Sequence, residues 1–352
     1  MRRVIDASRR ALPYSEWPIG DRLAWEKAIA DGDIFDGRGP AAHWASPTKR
    51  TNIQHYGRWL GYLLWRGELV SSASPESRVT TDAVRAYNLH LEEIVAPRTR
   101  LSMLVGLKVM MQAMAPAQNW RWLQDICNHV QRSARPTRDK RGRILPTDEI
   151  YKAALRELRW LPTERLSLEE AIRFRDAFML ALLAARPLRV KNFTALAFGR
   201  HLHPAGTGWL IAIPADETKT HRPIEFYMPE NLIPWFERYR EKVRPLFPGA
   251  SQSDRLWLNY RGPKVGQHFI YLRIAKITSR LLGRSLNPHL LRDCAASSMA
   301  TESVALARAA APLLGHSHFS TTERYYLQAN TLAASRQLNA LLASIRTSEP
   351  KR

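Results

Sequence analysis

A small set of side chains in the second half of this chain could act together on a phosphate ester. Arg189 stands in RPLRVKNFTAL, just after a long apolar stretch, and Lys219 in the polar turn ETKTHRP. His289 and Arg292 form the His-x-x-Arg of NPHLLRD, and His316 opens LLGHSHFSTTERYY, whose last residues are Tyr325 and Tyr326. Guanidinium forks bind pairs of anionic oxygens, and an imidazole titrates near neutral pH and can move a proton. A tyrosine hydroxyl, with a free pKa of about 10, is a poor nucleophile unless its target has had its charge neutralised. Each residue alone is weak evidence in a basic protein. Their order, at helix starts or in a turn, is what gives them weight together.

The charge of the chain points to the partner. Among 352 residues, 53 Lys and Arg face 32 Asp and Glu, a formal net charge of +21. Such an excess repels itself unless a polyanion is present, and nucleic acid gains from the counterions its phosphates release. A merely soluble basic protein, or one that touches anionic lipid, is the blander alternative. Cys127 and Cys294 are the only cysteines. They make neither a disulfide framework nor a thiolate zinc cluster, and a reducing cytoplasm is expected. His201 and His203 form an H-x-H pair without further ligands nearby in sequence, so no metal is expected there. The N-terminus has no apolar signal-peptide core, and the apolar run at 177–185 is far shorter than the roughly 20 residues a bilayer span needs. No membrane association is expected.

The elements that must position these residues can be read from periodicity. So long a chain suggests two domains. Residues 1–45 mix Pro, Gly and Trp without a sustained period and read as an irregular N-terminal extension with one short helix. From Ser46 the apolar residues Ile53, Tyr56, Trp59, Leu60, Leu63 and Leu64 fall on one helical stripe. Three further helical segments complete an all-helical domain over 46–134. Residues 135–146 read as a basic linker, part of a run in which Arg132, Arg135, Arg138, Lys140, Arg141 and Arg143 accompany the single acid Asp139. These six cations are candidates for contact with a phosphate backbone. The remainder, 147–352, reads as a larger, mainly helical domain with a small antiparallel sheet, an α+β class. Within it SLEEAIRFRDAFMLALLAAR opens with a capping box, Ser167 and Glu170, and carries an apolar helix face. GWLIAIPADETKTHRPIEFYMP reads as two strands around a polar turn, and RLWLNY as a further short strand.

With LRVKNFTAL, Lys219 in a turn, His289 with Arg292, and LGHSHFSTTERY in this order, the sequence resembles the tyrosine recombinases, or phage integrases. The resemblance covers about 46–347, and the second half carries the more specific motifs. It implies a helical core-binding domain followed by a catalytic domain, with Arg189, Lys219, His289, Arg292, His316 and Tyr325 as the catalytic set. The family spacing from His316 selects Tyr325 over Tyr326. The two arginines would hold the non-bridging oxygens of a DNA phosphodiester, His289 would exchange the tyrosine proton, His316 would hydrogen-bond a phosphate oxygen, and Lys219 would protonate the departing 5′ oxygen. The resemblance further implies a 3′-phosphotyrosyl intermediate, no cofactor, and a homo-tetramer on synapsed DNA sites. The tail stripe Leu338, Leu341, Leu342 and Ile345 would join the protomers. Asn192 departs from the family, which usually has an acid there, and Asp293 stands where the family usually has His. Two other readings compete: a type IB topoisomerase with similar chemistry, and an inactive DNA-binding or architectural protein.

Overall fold

The apolar stripe that begins at Ile53 lies on a helix, and the way that helix starts and stops follows from its end residues. The computed structural model describes residues 6–32, 37–134 and 141–302. The chain divides into two compact units, Met1–Asp139 and Lys140–Arg352. In the first, α1 spans Ile19–Ile29, α2 Ser46–Arg66, α3 Thr81–Ile94, α4 Pro97–Met114 and α5 Arg121–Ser133. Helix α2 begins at a proline near its first turn, where the missing N–H is harmless. It stops at Gly67, whose φ of 72° turns the chain left-handed while its N–H caps the Leu63 and Leu64 carbonyls. The Thr80 hydroxyl accepts a hydrogen bond from Ala83 N–H and starts α3.

The segment before residue 46 does hold one helix, α1, but it is no peripheral extension. Leu12, Trp17, Trp25, Ala28 and Ala41 belong to the same apolar core as Tyr56, Trp59 and Leu60 of α2. Two features of α2 let the segment approach. Leu12 N–H donates to the Gly57 carbonyl at 2.8 Å. A Cβ on Gly57 would lie 2.3 Å from the Leu12 carbonyl oxygen, and one on Gly61 2.1 Å from that of Arg10. Only glycine fits at both places. Asp21, fully buried, accepts two hydrogen bonds from Arg78 Nη1 at 2.8 and 2.7 Å and one from the Tyr56 hydroxyl. Burial, with the Asp21 charge beside it, pushes the Tyr56 phenol well above its ordinary value. A segment with no period is therefore anchored by close backbone contact and a buried ion pair.

In the second unit α6 spans Thr147–Trp160, α7 Leu168–Ala185 and α8 Val190–Ala195. The strands β1 Leu202–Ala205, β2 Gly208–Ile213 and β3 Ile224–Tyr227 follow, then α9 Ile233–Arg238, α10 Gln267–Leu282 and α11 Pro288–Glu302. The capping box opens α7 as expected, with the Ser167 hydroxyl accepting from Glu170 N–H and the Glu170 carboxylate accepting from Ser167 N–H. Phe174, Phe178, Met179, Leu180, Leu182 and Leu183 are fully buried, which makes α7 the central helix of the unit. Burying each such side chain is worth roughly 2 kcal/mol. Within this core Asp176 binds Arg175 and Arg273, and Arg175 also donates to the Leu258 carbonyl at 2.7 Å, so α7, α10 and the 256–258 segment are joined by charge as well as packing.

The sheet is antiparallel in the order β1-β2-β3, with Leu202 opposite Ile211 and Ile213 opposite Ile224. Strand β1 carries a proline and is not among the strands the sequence suggests. RLWLNY, expected as a strand, forms none: Arg255 and Asn259 make only isolated bridges, to Ala197 and Gly262, and Leu256, Trp257 and Leu258 between them are fully buried without a ladder partner strand. The segment instead makes single contacts, Leu256 N–H to the Leu196 carbonyl at 2.9 Å and Phe198 N–H to the Asp254 carbonyl at 2.8 Å.

Candidate active site

Arg189 is the N-cap residue of α8, three positions beyond the C-cap of α7. The buried Pro187 and Leu188 fill the corner between the two helices and give it a fixed path. Arg292 lies in the second turn of α11 and is 7% exposed. Its Nη1 donates to the Pro187 carbonyl, so the strand-like corner ahead of Arg189 and the face of α11 are joined. Burial first, and then the positive charge of Arg189, push the Arg292 guanidinium down to about 10, with Asp293 acting in the opposite sense. Burial lowers Arg189 as well. Both remain protonated at neutral pH. Two like charges held this close, partly out of water, make a place where an anion is favoured.

His289 sits on the first turn of α11, exposed, one helical turn ahead of Arg292. Lys219 is exposed in the bend between β2 and β3. Thr218 braces that bend: its hydroxyl accepts from Arg222 N–H at 3.1 Å and lies 2.8 Å from the Arg222 carbonyl. His221 closes the bend with a positive φ of 51°. The bend is tied to α8 through the Glu217 carbonyl, which accepts from Asn192 Nδ2 at 3.2 Å and from Lys191 Nζ at 3.3 Å. Lys191, a basic neighbour of Lys219 in this region, thus spends a donor on the backbone. Asn192 is 4% exposed, and its amide makes sense of the departure at this position. A carboxylate there could not donate to the Glu217 carbonyl.

The structure therefore brings Arg292 to the Pro187 carbonyl and within reach of the Arg189 charge, sets His289 on the same helix as Arg292, and ties the turn of Lys219 to the helix that Arg189 caps. His316 and Tyr325 lie outside the described residues, as does the tail stripe 338–345. Of the basic run, Arg132 is exposed in the last turn of α5, while Arg135, Arg138 and Lys140 lie outside the described residues. Arg141 begins a short 3-10 turn, Arg141–Arg143. Arg143 Nη2 donates to the Ser285 carbonyl at 2.8 Å, and Arg284 Nη1 donates to the Gly142 carbonyl at 3.1 Å, a reciprocal clamp just ahead of α11. Two further bonds hold the same stretch: Leu145 N–H to Cys294 Sγ at 3.4 Å and Thr147 N–H to Ser298 Oγ at 3.0 Å.

Glu217, Arg200 and His201 do not stand out in the sequence as parts of the site. The Glu217 carboxylate binds Arg200 at 2.9 and 2.6 Å and His201 Nε2 at 3.0 Å. His201 is 2% exposed. His203 instead faces the Arg200 carbonyl at 3.2 Å. The one sequence signal is an acid two residues before Lys219. Beside α8 runs an open groove of about 660 Å³ with a mixed lining that includes Lys191, Thr194, Arg255, Trp257, Lys264 and Val265.

The chain is similar to known proteins over much of its second half and in its fold. The family model for the phage integrase family matches residues 162–332. Tyrosine recombinase XerD of Proteus mirabilis is 28% identical over 193 residues, 53% of this chain and 59% of the relative. Tyrosine recombinase XerD of Pseudomonas putida is 31% identical over 160 residues, 45% of this chain and 51% of the relative. The chain thus spans about half the length of the curated relatives it matches. Two crystal structures of the XerH site-specific recombinase bound to difH substrates share the fold. The pre-cleavage complex gives a TM-score of 0.53 at 15% identity, covering 82% of this chain and 78% of that one. The post-cleavage complex gives 0.56 at 14%, covering 83% and 78%. The motifs from Arg189 to Arg292, the fold that carries them and the family match together place residues 162–332 of this chain in the phage integrase family, the tyrosine recombinases.

Proposed function

We propose that this chain is a site-specific DNA recombinase that cuts and rejoins duplex DNA through a 3′-phosphotyrosyl intermediate. The observation that carries the reading is the nearness of Arg292, bonded to the Pro187 carbonyl, to the charge of Arg189, with the Lys219 turn fastened to the helix that Arg189 caps. In this reaction the Tyr325 Oη bonds to the phosphorus as the bond from phosphorus to the 5′ oxygen breaks. The tyrosine proton passes to His289, Lys219 supplies a proton to the departing 5′ oxygen, and rejoining reverses both transfers. Arg189, Arg292 and His316 hold the non-bridging oxygens, whose charge rises in the transition state. One ester replaces another, so the bond energy is kept and neither ATP nor a metal ion is required.

The net charge of +21 supports duplex DNA as the partner. The reading assigns residues 46–134 to core DNA binding and 147–352 to catalysis, and gives Arg132 and the linker cations contacts with the phosphate backbone. It includes a homo-tetramer on two sites, joined through the C-terminal helix, and a cytoplasmic setting, which the buried free thiols Cys127 and Cys294 suit. No helix among the described residues is long and apolar enough to cross a membrane.

The test works on an undefined target sequence. A library of nicked duplexes with a randomised centre is incubated with the protein, and DNA that stays attached through denaturing detergent is recovered and sequenced. The wild-type chain and Tyr326→Phe are expected to capture one site class, and Tyr325→Phe none. Capture that persists in Tyr325→Phe removes the assignment of the nucleophile. Absence of capture by the wild type favours an architectural DNA-binding role, and relaxation of supercoiled plasmid without site preference favours a topoisomerase.

A further inference from the structure

We infer that Glu217 is a positioning residue for Lys219, holding the base of the β2–β3 turn through its backbone and its carboxylate at once. The inference rests on the recombinase reading for what Lys219 does, but its structural part stands on contacts within the second unit.

The carbonyl of Glu217 accepts from Asn192 Nδ2 at 3.2 Å and from Lys191 Nζ at 3.3 Å, both on α8. Its carboxylate turns the other way. Oε1 accepts from Arg200 Nε and Nη2 at 2.9 and 2.6 Å, and Oε2 lies 3.0 Å from His201 Nε2. Arg200 and His201 immediately precede β1, and the His201 carbonyl accepts from Ala212 N–H of β2 at 2.9 Å. One residue therefore joins α8, which Arg189 caps, to the β1 edge of the sheet. Lys219 follows two residues later, beyond the Thr218 brace. A lysine carries its charge on a flexible four-carbon stem and is exposed here, so its reach is set by where its backbone is held. Burial alone would raise the Glu217 carboxyl, but the hydrogen bonds and charges of Arg200 and His201 hold it below its usual range, so the clamp is intact at neutral pH.

Asn192 fits this reading in a way that its sequence position does not suggest. It is buried on the helix that Arg189 caps and directs its donor at the Glu217 carbonyl rather than at a charge. The residue that departs from the family pattern is thus the link between the arginine that would bind the phosphate and the turn of the lysine that would protonate the leaving group.

The experiment has two arms, both with the full chain. In the first, hydrogen exchange is followed in peptides covering 214–223 for wild type, Glu217→Ala and Asn192→Ala. Exchange is expected to quicken about tenfold in both variants while the α7 and α10 peptides keep their protection. Unchanged exchange in 214–223 overturns the inference whatever the chemistry of the protein. In the second, a duplex captured by the wild type is made with sulfur in place of the bridging 5′ oxygen at the cut position. A thiolate leaves without needing a proton, so a defect in general-acid catalysis is relieved and a defect in folding or DNA binding is not. Lys219→Ala and Glu217→Ala are each expected to cleave the oxygen duplex about 100-fold more slowly than wild type and the sulfur duplex within about threefold of it. Sulfur rescue of Lys219→Ala without rescue of Glu217→Ala overturns the positioning role. Failure of the wild type to cleave any duplex counts against the recombinase reading instead, and the exchange arm still decides whether Glu217 holds the turn.

Discussion

Arg292 on α11 hydrogen-bonds the carbonyl of Pro187, two residues before Arg189, so the two guanidinium groups are set by one backbone corner. The replacement Arg292→Lys keeps the charge but gives up the fork that can serve a carbonyl and a phosphate together. Adduct formation on a nicked duplex captured by the wild type is expected to fall by about 10²–10³, the loss typical of one transition-state donor. The thermal midpoint should move by only a few degrees. An unaltered rate would show that a point charge is enough here.

The second prediction concerns Asn192. In Asn192→Asp the introduced carboxylate faces the Glu217 carbonyl with no proton to donate. Leaving that buried pair unsatisfied is expected to cost about 1–3 kcal/mol in urea denaturation at neutral pH. Burial and the facing carbonyl raise the pKa of the introduced carboxyl in the fold above its unfolded value, so the folded state binds more protons. Stability relative to wild type is then restored as pH falls toward 4 and lost as pH rises through the raised value. A pH-independent difference would count against the hydrogen bond as its cause.

Glu157 gives the opposite slope. Its carboxylate on α6 accepts from Arg173 of α7 at 3.0 and 2.9 Å and from Arg280 of α10 at 2.8 Å. Burial alone would raise its pKa, but the bonds and charges of Arg280 and Arg173 hold it below the usual value. Its contribution is present above the unfolded carboxyl pKa of about 4.3 and is lost as pH falls through the lower folded value. Glu157→Gln is expected to lose about 1–2 kcal/mol at pH 7, the arginines being partly exposed, and to unfold less steeply below pH of about 4. Parallel stability curves for the two proteins would refute this.

Adding a methyl group at Gly57 or Gly61 tests the path of the N-terminal segment. Either Cβ would collide with a carbonyl oxygen of residues 10–12. Gly57→Ala and Gly61→Ala are each expected to destabilise the first unit by about 1–3 kcal/mol. They should also open the segment to trypsin at Arg9 and Arg10, seen as early cleavage in a time course. Wild-type resistance in both variants would mean that the segment is held by other contacts.

What the sequence disclosed depended on whether a signal was local. The capping box at Ser167 and the apolar run of α7 are local, so the helix that ends just before Arg189 could be read with its start. β1 is short and holds Pro204, so it carries no strand signal, while the apolar run 256–258 reads as a strand because it is buried on every side. The N-terminal residues have no period because backbone contact with Gly57 and Gly61 holds them, along with a buried carboxylate whose partner, Arg78, is far along the chain. The same limit applied at the site. Arg189, Lys219, His289 and Arg292 stood out as residue types in order. The Pro187 carbonyl that Arg292 grips, and the Glu217 carbonyl that Asn192 grips, are backbone atoms with no side-chain signature.

The reciprocal clamp between Arg143 and Ser285 and between Arg284 and Gly142 has a mechanical consequence. Together with the bonds from Leu145 to Cys294 and from Thr147 to Ser298, it fastens the incoming chain along the helix that bears His289 and Arg292. Tension entering at residue 141 is delivered to α11 before it reaches the sheet or α8. A pull of the kind DNA exerts when it bends would reach the arginine pair through Arg292 and its bond to the Pro187 carbonyl.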